Sequence, residues 1–145
     1  MILLLLLAHA AGVLLPVQAG VNAQLRSVVG SPLAAALVSF LVGTAGLGTA
    51  AVIFRAPMAV RTAWAVSPWW LWVGGLIGAL YVVATIVLAP RLGAATLVAA
   101  VVAGQMIASL LLDQYGLLGF PTHAINGLRV LGAALVTVGV ILVQR

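Results

Sequence analysis

Long apolar runs broken by single arginines are the feature that most limits what this chain can fold into. Of the 145 residues, 66% are hydrophobic, and the ordinary charges are six arginines and one aspartate. A soluble domain of this length needs far more charged side chains to cover its surface. Each run approaches the roughly 20 residues that a helix needs to cross a bilayer. The sequence therefore predicts an integral membrane protein.

The apolar runs are continuous, whereas a strand of a membrane barrel alternates apolar and polar residues over about 10 positions. We therefore predict an all-α, polytopic membrane protein with one transmembrane domain over residues 1–145. The five predicted spans are residues 2–23, 33–54, 69–88, 92–112 and 125–143. The turn Gly30-Ser31-Pro32 suits the start of the second span, because Pro is favoured in a first helical turn. Trp69 to Trp72 predict an aromatic anchor at the membrane interface.

The arginines are balanced between the two sides of the membrane. If the chain crosses five times, one side carries Arg55, Arg61 and Arg129, and the other carries Arg26, Arg91 and Arg145. The positive-inside rule needs an excess of basic residues on one side, and here there is none. The balance predicts insertion in both orientations, and hence an antiparallel, dual-topology dimer. Its two-fold axis would lie in the membrane plane, as in many transporters.

Two polar stripes are the predicted substrate-binding elements. Each has three polar residues at positions i, i+4 and i+8, so each forms one face of a helix. The first stripe is Gln18, Asn22 and Arg26, and the second is Gln105, Ser109 and Asp113. Polar side chains inside a membrane are costly and are usually functional. We predict that the four uncharged members bind substrate; the alternative is that they hydrogen-bond between helices and only hold them together.

Asp113, His9 and Arg26 are candidates for coupling or gating. In an antiparallel dimer, Asp113 of one chain and Arg26 of the other would lie on the same face of the membrane. One hypothesis pairs these two residues between chains. The alternatives are a pair with Arg129 of the same chain, or exposure of Asp113 to water. For His9 the alternative is a neutral ring bonded to a neighbouring backbone group.

Four glycines are predicted to allow close helix packing. They are Gly43, Gly74, Gly78 and Gly104. Gly74 and Gly78 form a G-x-x-x-G pattern, which permits two helix backbones to approach closely.

Several functional classes are excluded by composition. The chain has no Cys and no pair of carboxylates for acid and base catalysis, so it is not predicted to be an enzyme. His9, His123 and Asp113 are too few and too far apart for a metal site, and no cofactor is predicted. The arginines are scattered rather than gathered in a basic stripe, so no nucleic-acid partner is predicted.

Short pieces along nearly the whole chain resemble the YdcZ-type proteins, a branch of the drug/metabolite transporter superfamily. The pieces occur in the same order and lie at residues 17–25, 39–44, 70–81, 104–105, 113–119, 129–132 and 139. The resemblance implies a five-helix protein of the bacterial inner membrane that works as an antiparallel pair. The pair would be a homodimer or a heterodimer with a paralogue, and transport is implied through the superfamily.

These observations predict a secondary transporter of a small polar or zwitterionic solute, with its substrate site at the antiparallel dimer interface. Amide groups suit such a solute better than a lone cation. The chain has no Glu, so it cannot use the first-helix Glu of the small multidrug exporters of that superfamily. The alternative function is a non-transporting membrane subunit, or a scaffold, for a paralogous protein. The predicted partners are the lipid bilayer, a second chain and a small-molecule solute.

Overall fold

Apolar helices make up most of the chain. The computed structural model describes residues 1–144. Its helices are α1 (Ile2–Val29), α2 (Pro32–Ile53), α3 (Val60–Val66), α4 (Gly74–Tyr115) and α5 (Gly127–Val143). Short 3-10 turns cover Trp69–Trp72 and Leu117–Gly119. The predicted all-α class is confirmed.

Helix α4 is interrupted at Gly93, where the backbone has φ 75° and ψ 163°. Glycine tolerates this conformation because it has no Cβ. A straight helix of 42 residues would be about 63 Å long, roughly twice the thickness of the hydrocarbon core. The break leaves Ala94–Tyr115 on one side. On the other side, the first part of α4 continues the 3-10 turn before it and forms the segment Trp69–Leu92, and both segments suit a bilayer.

Four helical segments among the described residues are long and apolar enough to cross a membrane. They are Ile2–Val29, Pro32–Ile53, Trp69–Leu92 and Ala94–Tyr115. Helix α5 is also apolar but has only 17 residues, somewhat fewer than the roughly 20 of a typical span. The multi-pass class is therefore confirmed, while the fifth crossing stays a prediction.

Two helices continue beyond the membrane spans predicted for them. Helix α1 continues six residues beyond residue 23, to Val29, because Gln24, Arg26 and Ser27 all fit a helix and none terminates it. The helix ends at Gly30, which has φ 80° and donates its N–H to the carbonyl of Arg26 at 2.8 Å. Arg26 therefore lies in the last turn, where a positive charge complements the helix dipole. Likewise, α4 continues three residues beyond residue 112, to Tyr115.

The turn between α1 and α2 is as predicted. Ser31 caps α2 by accepting a hydrogen bond from the backbone N–H of Ala34 at 3.4 Å, and Pro32 is the first helical residue. The Ser31 side chain thus satisfies one of the backbone donors that a helix start leaves without a partner. The two helices contact each other on either side of this short connection.

The chain forms two compact units, Met1–Pro90 and the segment that starts at Arg91. The core of the first unit contains Ala35 and Ala36 of α2 with Val82 and Ile86 of α4. Leu25 of α1 packs against this cluster. Small alanine side chains let the helices approach closely. In lipid there is no hydrophobic driving force between helices, so the van der Waals contacts of this close packing hold them together. Leu97, Ala103 and Ala133 are buried in the second unit.

Candidate functional site

A cleft on the first unit contains the predicted ligand Gln18. Its volume is about 200 Å³, and we call it the α1–α2 cleft. It is lined by Gln18 of α1 and by Ser39, Phe40, Gly43, Thr44 and Leu47 of α2. Ser39, Gly43 and Leu47 follow one another at intervals of four residues, so they form one row along the helix. The cleft is therefore the groove between one face of α2 and the neighbouring face of α1.

Gly43 keeps this groove open. A Cβ at Gly43 would meet no atom within 4 Å, so the space beside it is free. Phe40 and Leu47 give the cleft apolar walls. Mostly apolar walls with a few polar groups are the usual composition of a small-molecule site.

The polar groups of the α1–α2 cleft are the amide of Gln18 and the hydroxyls of Ser39 and Thr44. None of these three side chains hydrogen-bonds to another group within residues 1–144. Thr49 and Thr137 differ, since each hydroxyl donates to the carbonyl four residues earlier on its own helix. The cleft therefore offers free donors and acceptors, and its lining carries no charged side chain.

Asn22 lies one turn after Gln18 on α1 and is only 4% exposed. Its amide nitrogen Nδ2 is buried and finds no acceptor among the described residues. Ala19 on the same face of α1 is also buried, so this face packs inside the first unit. A buried amide donor without an acceptor costs about 1–3 kcal/mol. The position therefore carries an energetic penalty that the fold itself does not offset.

The second predicted stripe lies on the second half of α4, in the other unit. Gln105 is exposed and lines neither cleft described here. The Ser109 hydroxyl donates to the carbonyl of Met106 at 3.1 Å, a bond within its own helix. The predicted role of these two residues in substrate binding stays a prediction.

Asp113, the last member of that stripe, forms an ion pair with Arg129 of the same chain. This is one of the alternatives that the sequence left open, and the pairing with Arg26 of another chain stays a hypothesis. The Arg129 side chain also donates to the backbone carbonyl of His123 at 2.8 Å. The backbone N–H of His123 donates to the backbone carbonyl of Asp113 at 2.9 Å. These bonds tie the loop before α5 to the end of α4.

The same residues border a second, more open cleft of about 580 Å³, which we call the C-terminal cleft. Its lining is Asp113, Thr122, His123, Ala124, Asn126 and Arg129. Asn126 caps α5, because its Oδ1 accepts a hydrogen bond from the backbone N–H of Arg129 at 3.0 Å. Gln114 accepts from the N–H of Ile125 at 2.5 Å and further fixes the loop.

The other two coupling candidates have local roles. The His9 ring donates from Nδ1 to the carbonyl of Leu5 at 2.8 Å, which is the backbone-bonded alternative. Arg26 is half-buried at the end of α1. Neither lines the α1–α2 cleft or the C-terminal cleft.

Of the four glycines predicted to pack helices, Gly78 has a close neighbour within the chain. A Cβ at Gly78 would lie 3.7 Å from the ring of Phe40. At Gly43, Gly74 and Gly104 a Cβ would meet nothing within 4 Å. A packing role for these three stays a prediction that concerns contacts with another chain.

Sequence reasoning did not identify Ser39 or Thr44 as ligands, nor Thr122 and Asn126 as members of a site. Ser39 shares a helical row with Gly43, and this spacing was the available signal. The loop residues gave no signal, because their neighbours depend on how the loop folds. No group of three potential metal ligands occurs in residues 1–144.

Comparisons with known proteins agree with this membrane architecture. Residues 3–142 match the family model described as "Putative inner membrane exporter, YdcZ". The chain is 36% identical over 121 residues to "Inner membrane protein YdcZ" of Escherichia coli (strain K12), and the match covers 83% of this chain and 72% of that protein. No solved structure matches. The chain therefore belongs to the YdcZ family of inner membrane proteins and is itself a multi-pass protein of the bacterial inner membrane.

Proposed function

We propose that this chain exports a small neutral or zwitterionic solute and that the α1–α2 cleft binds it. The observation that carries the proposal is the set of free polar groups from Gln18, Ser39 and Thr44 in an otherwise apolar groove. The amide and the hydroxyls each offer donors and acceptors to a solute. Asn22, one turn along α1, does not line the cleft, but its buried amide donor lacks an acceptor within the described residues and is a second group that a solute would satisfy.

The absence of charge in the cleft lining selects the class of solute. A lone ion that left water for this groove would lose its hydration without gaining an opposite charge, which is unfavourable. Asp113 is the only acidic side chain of the sequence, and it is already paired with Arg129. A solute with no net charge avoids this penalty and satisfies the amide and hydroxyl groups.

We further propose that the working unit is an antiparallel pair of chains. The equal arginine counts on the two sides support insertion in both orientations. The open space at Gly74 supports close approach of another helix. The pair would be two copies of this chain or one copy with a paralogue.

The experiment is a stopped-flow swelling assay on proteoliposomes, which detects uncharged solutes without a label. Polyols, neutral amides and amino acids are compared with organic cations and anions of similar size. We expect flux for members of the neutral or zwitterionic set only. Replacement of Gln18 by Leu removes an amide that hydrogen-bonds the solute, and we expect an approximately tenfold fall in that flux.

The matched control is Gln24→Leu, an identical change on α1 at an exposed position outside the cleft. It should leave flux unchanged. Gln105→Leu tests the second stripe separately. A Gln18 variant that assembles normally and transports at the parental rate would contradict the proposed site. If no solute moves and Gln18→Leu alters only association between chains, the chain is an assembly subunit instead.

A further inference from the structure

The C-terminal cleft has a composition different from that of the α1–α2 cleft. It brings both charges of an ion pair, Asp113 and Arg129, to one cavity with Thr122, His123 and Asn126. The side chains of Asp113 and Arg129 are 22% and 30% exposed, so both remain within reach of a ligand. The cavity of about 580 Å³ is large enough for a small organic group.

The fold uses only part of the hydrogen-bonding capacity of this pair. Arg129 donates Nη2–H to Asp113 Oδ2 and Nη1–H to the carbonyl of His123. An arginine has five N–H donors, so the others are free for a ligand. The second carboxylate oxygen of Asp113 accepts no hydrogen bond from residues 1–144, and the Thr122 hydroxyl also makes none. Free donors and a free charged acceptor therefore occur side by side.

We propose that the C-terminal cleft binds a zwitterionic group, with its ammonium at Asp113 and its anionic part at Arg129. A lone cation attracted by Asp113 would be repelled by Arg129 next to it. A lone anion attracted by Arg129 would be repelled by Asp113. A zwitterion places each charge beside the opposite one, so both interactions are favourable. Charge-assisted hydrogen bonds of this kind are stronger than neutral ones.

The position of the cleft is compatible with two kinds of zwitterionic ligand, one soluble and one part of a lipid. Asp113 lies two residues before the end of the Ala94–Tyr115 segment, near the place where a membrane span meets water. A soluble amino acid and the headgroup of an ethanolamine phospholipid each carry an ammonium and an anionic group. The experiment separates these sources.

The chain has no cysteine, so a single introduced one gives a unique attachment point for a fluorophore. Ala124→Cys places an environment-sensitive label in the C-terminal cleft, and Leu47→Cys places the same label in the α1–α2 cleft. The full chain in detergent is titrated with leucine, leucinamide and N-acetylleucine, which share a side chain and differ in charge. We expect the label at position 124 to respond to leucine at a concentration at least about tenfold lower than to the other two.

The lipid arm uses nanodiscs without added amino acid. Phosphatidylethanolamine is compared with phosphatidylcholine, whose quaternary ammonium has no N–H for Asp113, and with phosphatidylglycerol, which is an anion. If the headgroup is the ligand, only phosphatidylethanolamine should shift the label at position 124, and it should then compete with leucine. If a soluble zwitterion is the ligand, leucine should act equally in all three lipids.

Asp113→Asn keeps the shape of the side chain and an oxygen for Arg129 but removes the charge that binds the ammonium. We expect this variant to bind leucine or phosphatidylethanolamine, whichever gave a response, at least about tenfold more weakly. The control is Arg61→Gln, which removes an exposed charge in the other unit and should change nothing. If Asp113→Asn does not fold, the comparison of leucine, leucinamide and N-acetylleucine on the labelled chain without this substitution still tests the proposed site.

Equal responses at position 124 to leucine, leucinamide and N-acetylleucine, together with no lipid preference, would overturn the proposal. A response to leucine at position 47 alone would overturn it as well, while supporting the transport site. Because the readout is binding at one labelled cleft and not flux, a failure here leaves the exporter proposal standing.

Discussion

Replacing Asn22 by Leu should make the protein more stable and less active. Asn22 is 4% exposed, and its Nδ2 has no acceptor among the described residues. Leucine has a similarly branched side chain and contains no polar atoms. The substitution therefore removes a buried donor without a partner, and it also removes the amide that we assign to solute binding.

The magnitude follows from the penalty for a buried donor without an acceptor, about 1–3 kcal/mol. Leucine is somewhat larger than asparagine, and tight packing around Ala19 and Leu25 would offset part of this gain. We expect a net increase of about 1 kcal/mol in the free energy of unfolding. The chain has a second asparagine, Asn126, which caps α5 through a hydrogen bond of 3.0 Å. The same change there should decrease stability by about 1 kcal/mol.

The assay is unfolding in mixed micelles by titration with sodium dodecyl sulfate, followed by circular dichroism, with solute flux measured on the same variants. The two Leu variants should move the unfolding midpoint in opposite directions. If Asn22→Leu lowers the midpoint as much as Asn126→Leu does, the Asn22 amide is hydrogen-bonded in the native protein. The interpretation of Asn22 as a ligand without a partner in the fold would then be refuted.

Three further outcomes are expected. Ile86, which is fully buried, should lose about 2 kcal/mol of stability on change to Ala in the same titration, whereas the exposed Leu76 should lose little. Gly43→Leu should fill the α1–α2 cleft and stop solute flux. It should not lower the unfolding midpoint, since a Cβ at this position meets nothing within 4 Å. A folded Gly43→Leu variant with normal flux would count against the cleft as the solute site. All four tryptophans lie within residues 64–72, so intrinsic tryptophan fluorescence reports on this segment alone. Lipids brominated near the headgroup should quench this fluorescence more than lipids brominated at the ends of their acyl chains. The reverse order would place the aromatic anchor in the hydrocarbon core of the membrane.

The length and apolarity of the runs were enough to predict the class and the four long apolar segments, because the bilayer imposes both on any spanning segment. The end of α1 was not predictable from apolarity alone. Arg26 interrupts the apolar run but not the helix, and the backbone conformation of Gly30 is what ends it. Helical spacing correctly put Gln18 and Asn22 on neighbouring turns of α1, since periodicity determines which residues share a face.

Periodicity does not reveal which helix covers a face. For this reason Ser39 and Thr44 were not recognised as neighbours of Gln18 in the cleft. The pair of Asp113 and Arg129 was one of several alternatives for the same reason. It depends on the loop between α4 and α5, whose path is set by hydrogen bonds such as that of Gln114 to Ile125. Those bonds join residues that have no fixed spacing in the sequence.

The short turn at Gly30 and Ser31 has a consequence for how the protein is made. It joins the two helices that form the α1–α2 cleft, so every residue of that cleft lies between positions 18 and 47. Contacts between segments that are close in sequence form quickly, and chains emerge from the ribosome with their N-terminal part first. The cleft can therefore take shape as a helical hairpin while the second half of the chain is still being synthesised. The contact of Gly78 with Phe40 and the packing of Val82 and Ile86 against α2 are added later, when α4 has been synthesised.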